Sequence, residues 1–305
     1  MTVRAVNRCH RFAPSRQALE IIWYCFAYSL SEFRGRIEAH EFLWMSNHYH
    51  VVLTDRGGCL PDFMMRLNSL LARSLNALHG LTGTAIEKGY NAVEVTTEDK
   101  AVDHCVYTLA NPCSAHLVRR SRHWRGVSSY DLDYGVAVTV QRPQGGLWGG
   151  PCRHRDREAS QKSKRAEHAG RSKLPETVEL VLTRPEIWTH LTDAELRSHM
   201  RERVAQRERD LSDDRGRTRG KVMGWRNATR VKPRSFPRQT EDRFGTVPSF
   251  SAGRRDAWLA AWQRRREFLE RYRAALRRFM AGETTVEFPA GTWLMKTRFG
   301  VTCCA

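Results

Sequence analysis

Trp44-Met45-Ser46-Asn47-His48-Tyr49-His50-Val51-Val52-Leu53 reads as a strand that carries two imidazoles one residue apart. Strand side chains alternate between faces, so His48 and His50 project to one side about 6.6 Å apart, and Tyr49 projects to the other. The flanking Phe42, Leu43, Trp44, Val51, Val52 and Leu53 are aromatic, β-branched or aliphatic, as a buried strand requires. Two imidazoles at that separation can converge on one metal ion. The same pattern also suits two polar groups on the solvated face of a half-buried strand.

Working outward, residues 1–11 read as a first strand and Ser15 to Leu30 as a helix with Ile21, Ile22, Tyr24, Cys25 and Tyr28 on its apolar side. Glu38 to Ser46 and Tyr49 to Asp55 form a hairpin about Asn47. Asp62 to His79 is a second helix, with Phe63, Leu67, Leu70, Leu71, Leu75 and Leu78 at helical spacing, and Asn91 to Thr96 is a short strand. This β-α-β-β-α-β order predicts an α+β fold, a ferredoxin-like antiparallel sheet with helices on one face.

A third helix should begin at Thr97, a candidate N-cap followed by Glu98 and Asp99, and should end or kink at Pro112. On it Tyr107 and Asn111 stand at i and i+4, placing a phenol beside a carboxamide about 5–6 Å apart at Cβ. A phenol can attack phosphorus or an acyl centre, and an amide oxygen can complete the coordination of a hard cation. Read as structure alone, Tyr107 would pack in the core and Asn111 would close the helix before the proline.

These segments together resemble a known family. Trp44–Leu53, then Val106-Tyr107-Thr108-Leu109-Ala110-Asn111-Pro112, then Trp124-Arg125-Gly126-Val127-Ser128-Ser129-Tyr130 are similar to the single-tyrosine transposases of the HUH endonuclease superfamily, and in particular to the REP-associated tyrosine transposases. Leu60–Asn68 and Ala72–Gly80 match the helix that such proteins place after the histidine strand. The resemblance covers roughly residues 1 to 130. It implies that His48 and His50 are metal ligands, Tyr107 the nucleophile and Asn111 the third ligand, on an enzyme that cuts and rejoins hairpin-forming single-stranded DNA. The family fold agrees with the order of elements.

Such chemistry makes sense of these residue types. Attack on a phosphodiester must approach an anion and expel an oxygen that gains charge; a divalent ion answers both difficulties while a helix fixes the phenolate. Two imidazoles and an amide oxygen are neutral donors that leave positions open, which suits Mg²⁺ or Mn²⁺, with zinc also within reach of imidazole. A catalytically decayed or domesticated DNA-binding protein of the same fold is the second reading. A zinc hydrolase is the third, and it would need a carboxylate base; Asp55 is nearest in sequence but points away by parity.

Charge agrees with a nucleic-acid partner. Lys plus Arg is 51 against 33 acids, a net of +18. Residues 1–135 hold 15 basic and 13 acidic side chains, leaving 36 and 20 for residues 136–305, so +16 of the net charge lies in the second half. A basic surface gains affinity for phosphate by counterion release. An arginine-rich solvated tail is the alternative. No apolar run near 18 residues and no apolar leader point to a membrane, and eight cysteines without CxxC spacing read as a reduced, cytoplasmic chain. The sequence leaves a homodimer open.

Residues 1–135 read as the catalytic domain, 136–173 as a flexible linker, and 174–305 as a basic, mainly helical extension. Within the extension a helix is expected from about Thr192 to Asp210. Arg226, Arg230, Lys232, Arg234 and Arg238, interleaved with Trp225 and Phe236, form a candidate DNA-binding tract. Asp256 to Ala281 should be a long helix whose Trp258, Trp262, Leu269, Tyr272, Leu276 and Phe279 stripe enters a core. Val286 to Met295 reads as two strands about a Pro-Ala-Gly turn.

Overall fold

The computed structural model describes residues 1–144, 174–186, 188, 190–237 and 249–304. The first half runs β1 (Thr2–Arg4), α1 (Arg16–Glu32), β2 (Ile37–Trp44), β3 (His48–Asp55), α2 (Leu60–His79), β4 (Glu94–Val95), α3 (Glu98–Ser114). The second runs β5 (Ala137–Gln141), β6 (Thr177–Val181), α4 (Asp193–Thr218), α5 (Trp225–Ala228), β7 (Phe250–Ser251), α6 (Arg255–Met280), α7 (Trp293–Phe299). The result is a mixed α/β structure with small, mainly antiparallel sheets.

Local signals set the early boundaries. Ser15 accepts a hydrogen bond from the Ala18 N–H and opens α1, while Gly80, at φ 60°, closes α2 in the left-handed conformation that glycine adopts without strain. α3 starts after Thr97 as expected. Pro112 does not end it, and the helix runs on to Ser114. The proline removes only the bond to the Thr108 carbonyl, close enough to the C-terminus for the last turn to survive.

β3 is the middle strand, antiparallel to β1 on one side and to β2 on the other. The first strand is shorter than expected, and three residues past its end Asn7 and Arg8 take positive φ, which turns the chain away from extended structure. The fourth strand forms only in part. Residues 85–91 run antiparallel along β1, with bonds between Thr2 and Asn91 (2.8 and 3.0 Å) and from Val6 and Glu87 to Ala85 and Arg4. Glu94–Val95 instead pairs in parallel with β7.

Helices cover both faces of this sheet, not one. Tyr49 points to the α1/α2 side, where its ring stacks on Trp44 at 4.7 Å and its hydroxyl donates to Asn68 Oδ1 at 2.6 Å. α3 lies on the opposite side, burying Val102, Cys105, Val106 and Leu109. An apolar stripe of that kind needs a second layer to cover it.

One hydrophobic core crosses residue 135. Val140, Val178, Leu180, Leu182, Trp188, Leu196, Met200 and Val204 join Ile21, Phe42, Trp44, Tyr49 and Leu67 in a single cluster. Residues 137–141, expected within the linker, form β5 and pair with β6 against α1; Tyr24 donates to the Pro175 carbonyl at 2.5 Å. α4 is opened by a capping box in which Thr192 and Glu195 satisfy each other's backbone N–H, and it extends eight residues beyond the expected end.

The tie between α4 and the sheet is ionic. Arg197 (2% exposed) donates to Glu41 Oε1 (0%) at 2.6 Å and to the Ser129 carbonyl, while Tyr134 (2.5 Å) and Ser129 hydroxyls also donate to Glu41. Burial pushes the Glu41 carboxyl up, against the pull of Arg197.

The tail departs from expectation in two places. The second half of α6 covers a small core of Val286, Phe288, Met295 and Val301, but Trp258 and Trp262 in its first half are exposed. Val286–Met295 does not form two strands: Phe288 makes one bridge with Cys303, and α7 begins at Trp293, whose indole N–H donates to Asp62 at 2.6 Å. No described helix is long and apolar enough to cross a membrane, and the described cysteines are free thiols.

Replacing Arg197 with Met leaves Glu41 buried without its cation, so the urea midpoint should fall by the equivalent of about 3–5 kcal/mol. The double variant Glu41→Gln/Arg197→Met should recover part of that loss. A single variant as stable as the wild type would contradict the role given to this pair.

Candidate metal and nucleophile site

β3 and α3 bring the four residues together. His48 and His50 leave β3 on the same side, their ring centroids 5.0 Å apart and nearly perpendicular. Asn111 on α3 reaches them: its Nδ2 lies 3.3 Å from His50 Nε2. Tyr107, one turn earlier on α3, stands edge-on to His50 at 5.4 Å. It is 49% exposed, while Asn111 is buried. The purely structural readings thus find no support, since the phenol is outside the core and Ala115, not Asn111, closes the helix.

The outer nitrogens of both rings are already held. His48 Nδ1 lies 2.7 Å from Asn47 Oδ1, and His50 Nδ1 lies 2.9 Å from Thr2 Oγ1. An amide oxygen only accepts, so His48 carries its proton on Nδ1 and keeps the Nε2 lone pair for the cleft. Such partners fix ring orientation at metal sites. Burial is the main cause that lowers His48 to about 4, with Arg4 adding to it; burial and then the neighbouring His48 lower His50 to about 3. Both imidazoles are therefore neutral donors across the physiological range. Two Nε2 atoms and an amide, which offers its oxygen once turned, fit a divalent cation with positions left open.

The site opens into a cleft of about 1600 Å³. Arg4 and Arg8 flank the histidines, and Arg203 and Arg207 of α4 contribute a second wall. The carboxylates among the described lining residues each already have a partner. Asp55 caps α2 through the Cys59 and Leu60 N–H groups (3.0 and 2.9 Å), and Glu94 pairs with Arg264 (2.6 Å). Asp103 pairs with Lys100 and Arg203, Glu186 with Arg56, and Asp210 accepts from Gln206. No group of three His, Cys, Asp or Glu side chains suited to a metal occurs among the described residues. The candidate set here depends on an amide.

Arg226, Arg230, Lys232 and Arg234 are carried on a segment bound at both ends to the first half. Met223 and Gly224 N–H groups bond the His116 and Leu117 carbonyls, and Ser235 meets His10 through backbone and side chain at 3.1 and 3.0 Å. Pro237 then reaches the cleft. Trp225 lies under two guanidinium groups, Arg125 at 5.3 Å and Arg226 at 5.4 Å. Arg238 lies outside the described residues.

Sequence reasoning missed Arg203 and Arg207. Their signal was present, because Leu196, Met200, Val204 and Leu211 mark the buried stripe of α4 and leave 203 and 207 on a flank facing α3. Comparisons with protein-family models, curated proteins and solved structures find nothing that matches this chain.

The lowered histidines make a pH prediction for the metal-free protein. Between about pH 6.5 and 4 the unfolded chain takes up protons that folded His48 and His50 refuse, so stability should fall as pH drops through that window. The His48→Gln/His50→Gln variant should lose less of its urea midpoint between pH 7 and 4.5 than the wild type. Parallel pH profiles would contradict the buried, neutral state.

Proposed function

We propose that this protein is a metal-dependent single-stranded DNA endonuclease and strand transferase of the HUH single-tyrosine type, a transposase-like enzyme acting in the cytoplasm through a covalent 5′-phosphotyrosine. The observation that carries this reading is the meeting of His48, His50, Asn111 and Tyr107 beside one cleft, from segments about sixty residues apart in sequence. The sheet supports a ferredoxin-like scaffold: residues 85–91, β1, β3 and β2 lie side by side, each antiparallel to the next. That is the spatial order a β-α-β-β-α-β chain of this class adopts.

The residues divide the work. Tyr107 Oη attacks phosphorus, the P–O3′ bond breaks, and the phenolic proton passes through solvent to the leaving 3′ oxygen. Later a 3′ hydroxyl attacks the same phosphorus, and the P–Oη bond breaks to rejoin the strand. A Mg²⁺ or Mn²⁺ ion held by His48, His50 and Asn111 would neutralise a non-bridging oxygen and the charge developing on the 3′ oxygen. α3 holds Tyr107 beside that point and keeps it accessible, so little reorganisation precedes attack. Arg4, Arg8, Arg203 and Arg207 attract the strand to the cleft. The engaged carboxylates weigh against a zinc hydrolase, which needs one as a base.

Incubation with a labelled hairpin oligonucleotide and Mn²⁺ should give a covalent adduct on a denaturing gel. Tyr107→Phe should bind the oligonucleotide normally and form no adduct. An undiminished adduct in that variant would move the nucleophile elsewhere, and no adduct with the intact protein would favour a DNA-binding protein without turnover.

Affinity should draw on the tract beside the cleft. Replacing Arg226, Arg230, Lys232 and Arg234 with Ala should flatten the salt dependence of oligonucleotide binding, by about 0.7 in the log–log slope for each phosphate that is no longer neutralised. An unchanged slope would remove this segment from the DNA path.

A further inference from the structure

α6 presents an unusual face for a helix that begins at the rim of the cleft. Trp258 (45% exposed) and Trp262 (42%) stand at i and i+4, with Leu259 exposed beside them. The Phe250 ring meets Trp258 edge-on at 5.7 Å, and the Arg266 guanidinium lies 5.1 Å over the Trp262 ring. Phe250, Trp258, Trp262 and Arg266 therefore form one continuous aromatic and cationic stripe.

The stripe is joined to the cleft. Phe250 belongs to β7, which pairs with β4, and Ser249, Ser251, Glu94 and Val95 line the cleft wall. Arg264 pairs with Glu94 at 2.6 Å, and the Gly253 N–H donates to Thr97 Oγ1 at 2.8 Å, so α6 starts against the start of the tyrosine helix. α6 itself carries eight Arg against three acids.

We propose that Trp258 and Trp262 form a stacking platform for successive bases of single-stranded DNA that leaves the cleft, with the Arg side chains of α6 following its phosphates. Flat, exposed indoles about 5–6 Å apart at Cβ suit base faces, and the Arg266 guanidinium over one face of Trp262 sets a cation beside the platform for the backbone of a stacked strand. The charge sign suits phosphate. A lipid surface would be met by a broader aliphatic face, whereas here Arg264, Arg265, Arg266 and Glu267 follow Trp262 closely. The choice of DNA rests on the proposed function; the platform itself needs no chemistry.

The test uses the full chain with Tyr107→Phe throughout and chelator present, so that binding is read without cleavage. Fluorescence anisotropy with an oligo(dT) 20-mer should show Trp258→Ala/Trp262→Ala raising Kd about tenfold or more, while Trp258→Phe/Trp262→Phe stays within about threefold. Both side chains are exposed, and matching melting curves confirm intact folding. Equal affinity of the alanine variant and its parent would overturn the proposal. So would an unchanged DNA affinity with loss of binding to anionic vesicles, or with a shift from dimer to monomer in sedimentation. In the Tyr107 protein, an absent adduct beside weakened binding would remove the enzyme and keep the platform; an adduct beside unchanged binding would do the reverse.

Discussion

The pleat of β3 is the constraint on which the molecule turns. His48, Tyr49 and His50 are consecutive, so one residue must face opposite to its neighbours. Tyr49 is fully buried against Trp44 and bonded to Asn68, which fixes the register of the strand. A slip of one residue would send that ring into the cleft and both imidazoles into the core, where their unpaired nitrogens would be costly. Aromatic packing on one face thereby holds the two imidazoles on the other.

α3 completes the arrangement and α4 secures it. α3 presents Tyr107 to solvent and Asn111 to the imidazoles from the same surface, because four residues make roughly one turn. Behind it, α4 contributes Leu196, Met200 and Val204 to the main core, and Glu208 accepts from the Ser121 N–H at 2.6 Å. Residues 136–305, which hold +16 of the net charge, thus join the scaffold through α4, and the Glu41–Arg197 pair ties that helix to β2. Basic residues of the second half reach the cleft because their helix is packed there.

Much of this was legible in the sequence, for definite reasons. Period-two and period-3.6 patterns, with Ser15 and Gly80 as punctuation, placed β2, β3, α1 and α2 within a few residues. Strand parity put His48 and His50 together, and the i, i+4 relation put Asn111 beside Tyr107. What escaped depended on distant partners. Val138, Val140, Val178 and Leu180 are too short a pattern to announce a hairpin across an intervening charged stretch. Arg197 reads as one more surface cation until Glu41 is seen opposite. The Trp258 and Trp262 stripe has the spacing of a core face, and helical period alone does not say whether anything covers it.

The central claim, that His48 and His50 share one ion while Tyr49 serves the core, is tested most directly by pulsed electron paramagnetic resonance on the Mn²⁺-loaded protein. Nitrogen couplings from two imidazoles should be present, one should vanish in each of His48→Ala and His50→Ala, and both should persist in Tyr49→Phe. A spectrum with no histidine nitrogen coupling, or one unaltered by either histidine substitution, would contradict the account.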